Sequence, residues 1–157
     1  MATIVSQWSV ERPDLDTSPM LVVGRISWLA DALDTALRPP FAAEGLGNGD
    51  FDVLAALRRA GTPYALRHRD LTAAMLVTPG AVTKRVDRLV ARRLVARAAD
   101  DSDGRGQLVR LTPAGVRFVD RMIAVHMENE AKLLEGLSGR ERQQLSRLLA
   151  KLATSLG

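Results

Sequence analysis

Lys84, Arg85, Arg88, Arg92, Arg93 and Arg97 crowd six cations into one short stretch, with Asp87 the single acid among them. Such a run neutralises phosphate or another anion, and arginine adds a planar fork that matches carboxylates, phosphates and base edges. The sequence offers little for other chemistries. There is no cysteine, hence no disulfide framework, no thiolate nucleophile and no thiolate metal site. The two histidines, His68 and His126, stand far apart without partners at triad or metal-ligand spacing. An enzyme is therefore the weakest of the function classes, and neither metal nor cofactor is expected.

The elements that position these cations are set by spacing. Thr78 as N-cap and Pro79 at the first helical position open a helix, because the N–H that proline lacks has no partner there anyway. Val82, Val86, Leu89 and Val90 form one stripe that should bury. Lys84, Arg88 and Ala91 point away from it, with Gly80 and Asp87 beside them, and Arg85 and Arg92 lie on the flank. Taken alone, this helix suits a DNA groove and a merely solvated basic face equally well. The adjoining hairpin favours the groove. Leu94–Ala98 and Gln107–Leu111 are short strand-forming runs around Asp-Asp-Ser-Asp-Gly-Arg-Gly, which is turn chemistry. Arg105 would sit at the hairpin tip between two glycines, with Arg97 and Arg110 on the arms. Asp101 and Asp103 are either solvated loop acids or the groups that hold a wing arginine in place. A basic helix beside a basic hairpin is a winged helix-turn-helix arrangement.

The remainder of the chain must support that unit. At 157 residues, 46% hydrophobic and 25% charged, it is globular and one domain by length. A net charge of +4 favours an anionic partner without choosing nucleic acid over membrane. No apolar run reaches spanning length and no signal pattern opens the chain, so a soluble cytoplasmic protein is the default. Ala2–Val10 carries Ile4, Val5 and Trp8 as a short helix. Met20–Leu37 is a long helix that Arg38-Pro39-Pro40 should end. Phe51–Ala60 packs through Val53, Leu54 and Leu57, with Asn48 or Asp50 as cap. Asp52 and Arg59 fall on its opposite side and read, alone, as solvated charges. Tyr64–Leu66 is a candidate strand for pairing with the wing, and Arg69–Met75 the first helix of the helix-turn-helix. Thr112-Pro113 opens a helix to about Glu135, on which His126 is expected at the surface or an interface. A capping box from Ser138 to Glu141 opens the last helix, with Leu145, Leu148, Leu149, Leu152 and Leu156 in a stripe. Long terminal helices need a surface to bury against, and a two-fold partner supplies one. The expected architecture is mainly α with a small β-wing. Residues 1–45 form an N-terminal lobe, 46–111 a winged lobe and 112–157 the C-terminal dimerisation helices.

Several segments together resemble the MarR family of winged helix-turn-helix regulators. They are Phe51 to Leu57, Arg69-Asp70-Leu71, Thr78 to Leu89, Asp101 to Arg105, and Leu111-Thr112-Pro113-Ala114-Gly115. The resemblance implies a homodimeric repressor on a pseudo-palindromic operator, released by a small molecule. The DNA-facing set would be Thr78, Gly80, Thr83, Lys84, Asp87 and Arg88, with His68 and Arg69 ahead of the helix and Arg105 on the wing. Trp8 in an extra N-terminal helix, with Glu11 to Met20 after it, is similar to the urate-responsive PecS and HucR subgroup. That likeness implies an effector set of Trp8, Asp52, Arg59 and Arg85. Urate is a flat anion near neutral pH, suited to an indole face and an arginine. Related members answer to other metabolic anions such as aconitate, and a DNA-binding protein without any effector is the other alternative.

Overall fold

The computed structural model describes residues 2–75, 79–99 and 107–156. Thr78, Asp101, Asp103 and Arg105, to which the sequence assigns roles, lie outside the described residues. Contacts divide the chain into two units, residues 1–39 and 40–157.

The first unit holds α1 (Ala2–Glu11) and most of α2 (Pro19–Ala43). The intervening turn is tied locally. Arg12 pairs with Asp14 at 2.6 Å, and the Asp14 carboxyl is held below the usual carboxylate range by that hydrogen bond. Asp16 accepts from the Ser18 N–H at 2.9 Å, one step before the proline that starts α2. The expected stop at Arg38-Pro39-Pro40 does not occur, and α2 runs on to Ala43. Proline's own φ suits a helix, although its missing N–H and the clash of its ring with the preceding turn weaken one. The extra turn carries Phe41 into a ring stack on Phe51, with centroids 4.4 Å apart.

The second unit contains α3 (Asp50–Arg59), β1 (Ala65–Arg67), α4 (His68–Met75), α5 (Pro79–Ala91), β2 (Val95–Ala99), β3 (Gln107–Leu111), α6 (Pro113–Leu133) and α7 (Gly139–Thr154). The sheet is antiparallel in the order β1-β3-β2. Leu66 faces Val109 across one ladder, and Arg97 faces Val109 across the other. The short strand does pair with the wing as expected, one residue later than its sequence suggested. Tyr64 has φ +58 and sits in the turn before it. The core lies where α3, α4, α5, α6 and the sheet meet: Val53, Leu54, Leu57, Leu71, Val82, Val86 and Leu89 are wholly buried. Burial of each such side chain stabilises by about 1.5–3 kcal/mol before entropy is set against it.

Two helix starts match their sequence signatures. Thr112 caps α6 by accepting from the Gly115 N–H at 3.0 Å, with Pro113 at the first position. Ser138 and Glu141 form the reciprocal capping box of α7. The third start differs. Neither Asn48 nor Asp50 caps α3; Gly49, at φ +75, occupies the cap without a side-chain bond. No helix is long and apolar enough to cross a membrane among the described residues. The α7 leucines 145, 148, 149 and 152 stand exposed on a single chain.

Candidate nucleic-acid interface

The basic helix α5 is oriented as its spacing demands. Val82, Val86 and Leu89 are fully buried, Val90 partly so, while Gly80, Thr83, Lys84, Asp87 and Arg88 stay exposed. Space beyond Gly80 is open, so its backbone can be approached closely. The exposed residues are held by neighbours. The Thr83 hydroxyl bonds His68 Nε2 at 3.1 Å, joining the first residue of α4 to α5. Arg97 on β2 donates to Asp87 at 2.5 Å, so the wing arm is strapped to the helix. Among the described residues, the acid that holds a wing arginine is therefore Asp87. Arg69 is exposed and lies 3.5 Å from its neighbour Asp70.

Arg88, expected to face DNA, is tied to Asp50. Its Nη2 donates to Asp50 Oδ1 at 2.5 Å, and its Nε lies 3.1 and 3.2 Å from the two carboxylate oxygens. The hydrogen bonding that Arg88 donates to Asp50 is what raises the arginine's pKa, keeping the charge in place. The sequence offers Asp50, beside Asn48, as a candidate cap. A signal was nonetheless present: Asp50 falls on the same stripe as Val53, Leu54 and Leu57, and all four are buried.

Arg85 is the flank residue, and the structure puts it beside Asp52, Nη1 to Oδ2 3.9 Å. At 17% exposure the arginine is largely inside, whereas Asp52 is 63% exposed, so water weakens the attraction. The guanidinium lies under Gly49, where an added Cβ would stand 2.1 Å from its Cζ. Its Nη1 is buried and has no hydrogen-bond partner. Beside it opens a shallow cavity of about 470 Å³ lined by Gly47, Asn48, Ala81, Lys84, Arg85 and Arg88. Lys84, Arg85 and Arg88 are cationic, and since Asp50 already engages Arg88, it is Lys84 and Arg85 that give the cavity its positive character. Arg59 is exposed on the last turn of α3, and Trp8 lies in the first unit, 48% exposed on α1. Asp52 and Arg85 are thus the two members of the expected effector set that the structure brings together.

Other features were not legible in the sequence. His126, expected at the surface or an interface, is largely enclosed within the single chain. Its ring packs 5.2 Å from Phe41 and 5.3 Å from Phe51, Nε2 meets Glu130 at 3.1 Å, and Nδ1 is buried without a partner. Arg58 pairs with Asp120 of α6 at 2.7 Å and lies over the Tyr64 ring. No group of three or more metal-ligating side chains converges among the described residues.

Comparison with known proteins agrees with this geometry. The sequence model of the MarR family matches residues 44–106. The chain is 36% identical to the HTH-type transcriptional regulator PecS of Dickeya dadantii (strain 3937), over 99% of this chain and 94% of the relative. Among solved structures it is similar to BpsR of Bordetella bronchiseptica, whose DNA binding is regulated by 6-hydroxynicotinic acid. That likeness has a TM-score of 0.71 and 30% identity over 83% of this chain and 98% of that one. It is also similar to a cysteine-to-serine mutant of MarR from E. coli complexed with operator DNA. There the TM-score is 0.74, with 26% identity over 85% of this chain and 95% of that one. A basic helix seated on a buried stripe, a three-stranded wing sheet and this near-full-length kinship agree: the chain belongs to the MarR family of winged helix-turn-helix transcriptional regulators.

Proposed function

We propose that the chain is a homodimeric repressor that grips a pseudo-palindromic operator and is released by a small anion. The observation that carries this reading is the cationic cavity on α5 itself, with the buried Arg85 Nη1, which makes no hydrogen bond, at its edge. An anion that pairs with Arg85 moves a side chain of the same helix that meets DNA. A coupling of about 1–3 kcal/mol is enough to change operator affinity 5- to 150-fold. Of the effector set that the resemblance to urate-responsive regulators implies, Trp8, Asp52, Arg59 and Arg85, the last three belong to the winged unit. Asp52 holds Arg85 in the empty state, and an anion competes with it. DNA contact falls to Gly80, Thr83, Lys84 and Arg69. The exposed α7 leucines support a two-fold partner, since such a stripe is not left in water by a stable monomer.

Urate is the leading effector. An aromatic carboxylate is the second reading, favoured by the likeness to BpsR. The test is anisotropy of a labelled duplex selected by the protein from a random-sequence pool, titrated with urate, xanthine, aconitate and 6-hydroxynicotinate. One of these anions should release the duplex from the wild type and leave Arg85→Ala bound, and light scattering should give twice the chain mass. Release from neither protein by any of the four, or a monomer that binds the duplex at full affinity, would refute the reading.

A further inference from the structure

Among the described residues, Asp50 is the one polar or charged residue that is buried. Asp50 is 1% exposed. It opens α3, and its oxygens are satisfied from two directions. Oδ2 accepts the Gly47 N–H at 2.8 Å, and Arg88 of α5 supplies the contacts at 2.5, 3.1 and 3.2 Å. Arg88 also reaches the Asn48 carbonyl at 3.5 Å. The loop closes tightly over the pair: a Cβ on Gly47 would lie 3.0 Å from Arg88 Nε and 3.1 Å from Asp50 Oδ2. A guanidinium fork engaged by a carboxylate at two nitrogens has its direction fixed and its charge largely cancelled. It is poorly suited to neutralise a phosphate as well. The same contact joins the first turn of α3 to the last turn of α5.

We infer that Asp50 and Arg88 are a positioning pair: the buried acid locks the basic helix to the start of α3, and Arg88 serves the aim of that helix and does not read DNA. The inference rests on the reading that α5 meets DNA. It gives Asp50→Asn an effect of opposite sign from the one a DNA-contacting Arg88 would give. Removing a negative charge beside a DNA contact strengthens binding, whereas removing one half of a strut weakens it.

The experiment measures affinity for the selected duplex, and its salt dependence, in the wild type, Asp50→Asn, Arg88→Lys, Arg88→Gln and the Asp50→Asn/Arg88→Lys double variant. Thermal melts check folding. Asp50→Asn and Arg88→Lys should each weaken binding roughly tenfold. The double variant should bind no worse than the weaker single one, because both remove the same contact. Lysine fails here because it cannot supply the fork. Arg88→Gln should leave the slope of log affinity against log salt unchanged. The inference is overturned if Asp50→Asn binds as tightly as the wild type or tighter. It is overturned equally if Arg88→Lys keeps full affinity while Arg88→Gln lowers that slope by about one, the mark of a lost phosphate contact. Should Asp50→Asn not fold, the two Arg88 variants decide, since Arg88 is half-exposed and its lysine leaves Asp50 a partner. A wild type that selects no duplex at all removes the DNA reading and the inference with it.

Discussion

Replacing Gly115 by alanine tests how closely α6 must approach the base of the wing. A Cβ there would stand 1.9 Å from the Leu94 carbonyl oxygen, 3.0 Å from its carbon and 3.3 Å from Leu111 Cδ2. An ordinary carbon–oxygen contact needs about 3.3 Å, so backbone must separate by about 1.4 Å. No side chain can swing aside to absorb this. The same carbonyl accepts the Thr112 N–H at 3.0 Å and the Thr112 hydroxyl at 3.2 Å, and Thr112 caps α6. Overpacking costs about 1–3 kcal/mol, and an obstacle made of backbone lies at the upper end. A weakened hydrogen bond adds about 1 kcal/mol, and alanine's better helix propensity returns about 1 kcal/mol. The net loss is about 3 kcal/mol, or a melting temperature lowered by about 6–12 °C for a chain of this size. Circular dichroism melts at fixed protein concentration measure it, with Gly139→Ala as control, since nothing lies within 4 Å of that position. If Gly115→Ala melted within about 2 °C of the wild type, the close-approach argument would be wrong.

Local geometry gives two further outcomes. Glu141 is held below the ordinary glutamate range, first by the Ser138 hydroxyl and then by the Ser138 N–H. A depressed acid contributes stability above its unfolded pKa and loses it as pH falls through the folded value, so the start of α7 should loosen only in acid. Carboxyl NMR should find the Glu141 titration below that of a free glutamate, and Ser138→Ala should return it upward; an unchanged midpoint in Ser138→Ala contradicts the assignment. Gly49→Ala adds a left-handed penalty of about 1 kcal/mol and drives Arg85 from beneath the loop. The variant should stay folded and lose its melting-temperature rise with the effector, and a preserved rise would show that Arg85 does not need its buried place.

The parts of this fold that obey a local period were legible. The stripe Val82, Val86, Leu89 gave the orientation of α5 because helical spacing alone decides it, and the caps at Thr112 and Ser138 are written in two to four adjacent residues. Partners across the fold were not. Arg88 meets an acid 38 positions away and Arg58 one 62 away, and nothing local separates these arginines from Arg59 or Lys84. Asp87 holding Arg97 depends on where the wing folds back, which the turn sequence does not specify. The extension of α2 past two prolines was equally hidden, since the Phe41 stack that accompanies it involves another helix. Asp50 is the instructive case. Its position in the buried stripe was visible, but polarity argued for a cap, and tertiary pairing prevailed over local propensity.

The division at residue 39 has a practical consequence for anyone who follows this protein with light. Both indoles, Trp8 and Trp28, belong to the first unit, while the winged unit holds only the phenol of Tyr64. Emission excited at long wavelength therefore arises from indoles carried on the N-terminal helices. Ellipticity sums over both. A gap between the two denaturation curves would reveal stepwise unfolding, and their superposition would show that the segments melt together.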